Sequence, residues 1–188
     1  MDFKGIEYVF LDRDGVLNRK PPLGQYVTCC EDLQLLPGVE QAVAALNRSG
    51  RKIIVVTNQR GIALGLYSLE DLEAMHCKLR QALAVHGAHL DAIYSCPHDN
   101  GQCNCRKPLP GLFQQAFAAF PGAQPFNSLM VGDSLRDIEA GLAMGMMTVF
   151  VTGSGSPGPD SQRAASLAQL TVACLPELVQ GYLATPRR

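Results

Sequence analysis

"YVFLDRDGVLN", Tyr8 to Asn18, runs four apolar residues straight into Asp12, Arg13, Asp14 and Gly15. An unbroken apolar run of this kind reads as a strand covered on both faces, as in a parallel sheet. Two carboxylates at its end cost several kcal/mol each to bury unpaired, so they mark either a solvated turn or a site. Similar runs recur in "KIIVVT" (52–57), "DAIYSC" (91–96), "SLMVGD" (128–133), "MTVFVT" (147–152) and "LTVAC" (170–174). Helical patterns lie between them: Val39 to Arg48, Leu69 to His86 opened by Ser68 with Asp71 in its first turn, Gly111 to Phe120, Leu135 to Met144, and Pro176 to Leu183. This alternation predicts an α/β fold, a Rossmann-like doubly wound parallel sheet. Such sheets bind ligands beyond the carboxyl ends of their strands. Those ends read Asp12, Thr57, Cys96 and Asp133.

The composition suits one domain spanning residues 1–188. With 47% hydrophobic residues the chain can bury a substantial core. A formal net charge of −1 and 6% aromatic residues argue against a nucleic-acid or anionic-membrane partner. No stretch has the length of a membrane span, and the apolar run after Lys4 meets charge too early for a signal peptide. A cytoplasmic protein with a small, locally bound partner is expected. The segment from Thr152 to Gln162, "TGSGSPGPDSQ", reads as a surface loop.

Asp12 and Asp14, with Asp133 from another strand end, form an oxygen-rich set suited to a hard cation such as Mg²⁺. Thr57, Asn58 and the backbone N–H groups after them are natural donors to phosphate oxygens. Lys107 offers a fixed positive charge, and Arg106 a fork able to grip a second phosphate or a sugar oxygen. Asp137 stands one helical turn after Asp133, where a carboxylate also caps the helix dipole.

The seven cysteines are an odd number and point to metal and free thiols over a disulfide framework. Cys96, His98, Cys103 and Cys105 have the spacing C-x-H-x₄-C-x-C. Three thiolates and an imidazole fit a tetrahedral Zn²⁺ with no position left for water, hence a structural ion. Cys29, Cys30, Cys77 and Cys174 read as buried small hydrophobes. His76, His86 and His89 read as surface or helix-packing residues.

"DRDGVLN", "VVTNQRGIALG", "CRKP" and "VGDSLRD", in this order and over nearly the whole chain, resemble the four motifs of the haloacid dehalogenase superfamily of phosphatases. The resemblance implies that Asp12 is the nucleophile and that Asp14 is the general acid, then the base. It implies that Thr57 and Lys107 hold the phosphoryl group, while Mg²⁺ sits on the carboxylates of Asp12 and Asp133 and the backbone carbonyl of Asp14. The intervals from Asp12 to Thr57 and from Thr57 to Lys107 leave no room for an inserted cap domain. The expectation is therefore a capless member with a zinc-stapled loop at 96–105 and a flap at 19–30.

A capless pattern with this cysteine loop resembles the subfamily that dephosphorylates sugar bisphosphates and histidinol phosphate. "TNQRGIALG" favours a phosphorylated sugar, with Arg60 in place of a small residue. By the same resemblance Arg106, Asn58, Gln59 and Arg60 would bind substrate, and the protein would act as a monomer. A non-catalytic phospho-ligand or nucleic-acid module on the same fold is the competing reading.

Overall fold

A computed structural model describes residues 3–153 and 158–183. Six parallel strands form one sheet in the order β3-β2-β1-β4-β5-β6. They are β1 Tyr8–Leu11, β2 Lys52–Asn58, β3 Ala92–Cys96, β4 Ser128–Gly132, β5 Met147–Val151 and β6 Leu170–Val172. The helices are α1 Val39–Arg48, α2 Leu69–Ala84, α3 Gly111–Ala119, α4 Leu135–Ala143, α5 Pro159–Leu167 and α6 Leu175–Leu178.

Side chains alternate across a strand, and the alternation divides the core in two. Val9, Leu11, Ile53, Val55, Leu129 and Val131 pack in one cluster with Val43 and Leu46 of α1, Met75 and Leu79 of α2, and Leu178 of α6. Phe10, Ile54, Val56 and Met130 face the other way, onto Leu112, Phe113 and Ala116 of α3 and Ala140 of α4. The sheet is thus wound on both faces, as its continuous apolar strands require.

Strand order reverses between β1 and its two neighbours, so the crevice of this topology opens where β1 and β4 end. Register brings the two ends level: Leu11 pairs with Val131, and Asp12 N–H donates to the Val131 carbonyl at 2.9 Å. Asp12 and Asp133 therefore flank the same crevice, with Thr57 and Asn58 closing β2 beside them. Local chemistry sets the helix starts. Ser68 and Asp71 form a reciprocal capping box on α2, and Ser134 and Asp137 form another on α4.

Three expectations are corrected. Pro159–Leu167, read in part as loop, is α5. Proline suits a first helical turn, and Ala164 is buried with Ile138 and Phe150. Residues 154–157 of that segment lie outside the described residues. The last helix is α-helical only over Leu175–Leu178 and continues as a π-helical turn, Val179–Leu183. Finally, none of the four scattered cysteines is buried. Cys77 is exposed and Cys29, Cys30 and Cys174 are half-buried, because the inward face of α2 is taken by Met75, His76 and Leu79 and the others lie in surface segments.

His76 packs into this face, with His86 and His89 exposed beyond the helix. Burial, with the nearby Arg13 and Arg80 charges, lowers His76 to about 4 from 6.5. The unfolded chain takes up this proton near pH 6.5 while the folded one refuses it until about pH 4. Stability from this group is thus complete above pH 6.5 and lost as pH falls through that window. In urea unfolding at pH 7.5 and 5, His76→Gln should lose less stability on acidification than the parent. Parallel losses would show that His76 does not carry the effect.

Candidate active site and cysteine loop

Lys107 lies at the centre of the site. Its side chain is 2% exposed, and its ammonium donates to Asp12 Oδ1 at 2.8 Å and to the Val56 carbonyl at 2.6 Å. Asp137 Oδ1 is 2.5 Å away and equally buried. Burial alone would discharge a lysine, yet the two carboxylates hold Lys107 above its ordinary range. Burial pushes Asp12 up to about 7. Lys107 opposes this, and Asp137, Asp133 and Asp14 add repulsion. Asp137 thus does two things: its Oδ2 caps α4 through Ser134, and its Oδ1 faces Lys107.

Two glycines make the approach possible. At Gly132, a Cβ would fall 2.2 Å from the Cβ of Asp137. At Gly15, where φ is +94°, a Cβ would fall 2.0 Å from Asp133 Oδ2. Asp133 Oδ2 accepts from Lys20 of the flap at 2.7 Å, while its Oδ1 is buried without a hydrogen-bond donor. Burial raises Asp133 to about 6 against the pull of Lys20. Asp12, Asp133 and Asp137 offer oxygens within 4.8 Å of one another. A hard-oxygen set with one orphaned carboxylate oxygen fits Mg²⁺.

Asp14 is restrained by side chains that sequence reading did not single out. Arg13, fully buried, donates Nη2 to both of its carboxylate oxygens at 3.0 Å, and Asn18 adds a bond at 2.8 Å. Gln59, expected to line the substrate pocket, is 2% exposed and its amide is fully engaged. It donates to Asp14 Oδ2 and Thr57 Oγ1 and accepts from Arg13 and Tyr67. It links the Asp14 carboxylate to the Thr57 hydroxyl.

Asn58 bonds the backbone of the loop that carries Lys107. Its amide donates to the Lys107 carbonyl at 3.1 Å and accepts from the Lys107 N–H at 3.0 Å, as a neighbouring strand would. Arg60 pairs with Asp99 of the cysteine loop, Nε to Oδ1 at 2.5 Å and Nη2 to Oδ2 at 3.2 Å. Both side chains position the loop that carries Lys107. The polar pattern "TNQR" flagged the segment, but nothing local specified partners some forty residues away.

The loop brings its four expected ligands together. Cys96 Sγ lies 3.1 Å from Cys105 Sγ and 3.5 Å from Cys103 Sγ, while His98 Nδ1 is 3.7 Å from Cys96 and 3.4 Å from Cys105. These sulfurs are too far apart for a disulfide, about 2.05 Å. They approach the edge of about 3.8 Å that four bonds of about 2.3 Å would give a tetrahedron. Soft thiolates and imidazole suit zinc, and no fifth side chain or open position is needed. At the end of the loop Gly111 starts α3, where a Cβ would meet the Asn104 carbonyl at 2.7 Å.

Residues 3–145 match the model of the haloacid dehalogenase-like hydrolases. The chain belongs to this family. It is 39% identical over 171 residues to a protein of Mycobacterium tuberculosis named D-glycero-alpha-D-manno-heptose-1,7-bisphosphate 7-phosphatase, covering 88% of this chain and 90% of that one. It is 42% identical over 153 residues to the Pseudomonas putida protein named for the beta anomer, covering 80% and 85%. Among solved structures it is similar to the D,D-heptose 1,7-bisphosphate phosphatase of B. bronchiseptica, which was crystallised with magnesium and phosphate. There the TM-score is 0.81 at 31% identity, over 94% of this chain and 99% of that one. In this chain β1 leads into the paired aspartates and β4 into Asp133.

Because the Gly15 backbone is left-handed and its missing side chain admits Asp133, Gly15→Ala should cost about 1–3 kcal/mol of stability. Urea unfolding of the two proteins measures it. A change within about 0.5 kcal/mol would mean the contact is relaxed elsewhere.

Proposed function

We propose that this chain is a Mg²⁺-dependent phosphatase that removes the 7-phosphate of D-glycero-D-manno-heptose 1,7-bisphosphate, within heptose metabolism. The carrying observation is the buried Asp12–Lys107 ion pair at the β1–β4 crevice, in a chain that matches proteins of that name over most of its length. Relatives named for both anomers match to similar degrees, so the proposal takes in either anomer.

In this reading Lys107 takes one Asp12 oxygen and the other attacks phosphorus. An aspartyl-phosphate forms as the bond from phosphorus to the sugar oxygen breaks. Asp14 gives its proton to the departing alkoxide, then accepts one from the water that attacks the aspartyl-phosphate and releases inorganic phosphate. Thr57 and the Lys107 ammonium bind the phosphoryl oxygens, and Asp137 keeps Lys107 aimed. Arg13, Asn18 and Gln59 hold the Asp14 carboxylate in place between steps. Asp12 and Asp133, with the Asp14 backbone carbonyl, would hold Mg²⁺, which when bound neutralises phosphoryl charge. Arg106 recognises the sugar phosphate. Cys96, His98, Cys103 and Cys105 hold a structural Zn²⁺ that fixes the loop carrying Arg106 and Lys107. The proposal extends to a cytoplasmic monomer built as one domain.

Phosphate release from both heptose 1,7-bisphosphate anomers, other sugar bisphosphates and histidinol phosphate tests the substrate. Asp12→Asn should abolish turnover on all of them, and a parent preference for histidinol phosphate would overturn the sugar assignment. Cys103→Ser should lose bound zinc and stability together, below the roughly 10–16 kcal/mol seen for zinc in small peptides. Retained zinc and an unchanged melting temperature would remove the ion from the account.

A further inference from the structure

Arg136 lies in the first turn of α4, three residues after Asp133, and its side chain is exposed. A cation there opposes the helix dipole, so it does not serve the helix. Among the described residues it has neither a hydrogen bond nor an ion pair.

It faces a second arginine. Arg106 Nε donates to Asn100 at 2.9 Å, while Arg106 Nη1 is buried without an acceptor. Asp99, the nearby carboxylate, is taken by Arg60. Burial, then Arg136, holds Arg106 below the ordinary guanidinium range. Asn100, Arg106, Lys107, Leu109 and Arg136 line one hollow of about 120 Å³. Two like charges share its walls without an acidic partner in ion-pair contact, and an unsatisfied N–H belongs to one of them. Bringing guanidinium groups together this way is unfavourable until an anion lies between them, and forked donors suit a phosphate. Lys107 joins the hollow to the reacting centre, so the anion belongs to the same ligand.

We propose that Arg136 pairs with Arg106 to bind the substrate phosphate that is not hydrolysed, making Arg136 a determinant of specificity for bisphosphorylated sugars. The inference rests on the phosphatase reading above. Binding a remote dianion lets the enzyme draw on non-reacting parts of the substrate. With Lys20 held on Asp133 and Arg60 on Asp99, neither of those cations competes with Arg106 and Arg136 for a ligand in this hollow.

The test is the ratio of kcat/KM for a sugar bisphosphate to that for the matching monophosphate lacking the remote phosphate, starting with heptose 1,7-bisphosphate and heptose 7-phosphate. Arg136→Ala should lower this ratio about 10- to 100-fold, chiefly through KM, and Arg136→Lys should restore part of it. The melting temperature should hold or rise, since a cation leaves the positive end of a helix. An unchanged ratio, or equal losses on both substrates, overturns the proposal while leaving the heptose assignment standing. A parent that prefers a different sugar bisphosphate, with the ratio still lost in Arg136→Ala, overturns the heptose assignment and supports the proposal. A parent that prefers monophosphates throughout overturns both.

Discussion

The Lys107 ammonium is withdrawn from water and answered by Asp12, Asp137 and the Val56 carbonyl. A buried cation is tolerable only while such partners stay in place. That requirement reaches three parts of the chain at once. The ends of β1 and β2 must lie level, the first turn of α4 must come close enough to need Gly132, and the loop after β3 must return across the sheet. The carboxylates need the lysine equally. Asp12, Asp133 and Asp137 crowd one crevice, and their mutual repulsion with burial would otherwise press protons onto them. Lys107 and Lys20 balance part of that charge, and the remainder suits the chemistry of a divalent cation.

With no inserted domain over the crevice, loops must fix the reacting groups. Asn58 grips the backbone of Lys107 from one side. Arg60 ties the β2 loop to Asp99. The cysteine and histidine cluster draws the two ends of the loop together, and Gly111 lets that loop rest on the start of α3. A loop of this length has little apolar surface of its own, so ion pairs and the packed cysteine and histidine side chains supply the rigidity that a core supplies elsewhere. A second network, from Tyr67 and Arg13 through Gln59, does the same for Asp14 and Thr57. The Asp14 carboxylate and the Thr57 hydroxyl are thereby positioned by one amide.

Much of this was legible before any coordinates. The apolar runs located all six strands, and Ser68 and Asp71 marked the start of α2. Asp12, Thr57 and Asp133 were identifiable as strand ends, and the spacing of Cys96, His98, Cys103 and Cys105 pointed to one cluster. What the sequence left out has one cause. Gln59, Asn58 and Arg60 were read as polar groups near a site, and their protein partners tens of residues away had no local signal. Arg13 was overlooked because an arginine between two aspartates looks solvated, and only burial makes it a clamp. The segment before α5 was judged by its glycines and prolines, although a proline at a first turn belongs to the helix.

Sequence by itself determined the alternation of strands and helices, the carboxylates at strand ends and the grouping of Cys96, His98, Cys103 and Cys105. Each depends on periodicity or spacing over about ten residues, which a chain carries whatever its global path. Tertiary structure alone decided that Asp137 faces Lys107, that Gln59 joins Asp14 to Thr57, and that Arg136 stands across from Arg106. The first two pairings hold groups tens of residues apart within a few ångströms. Their energies come from burial and low local polarity, which exist only after the sheet has closed its two cores.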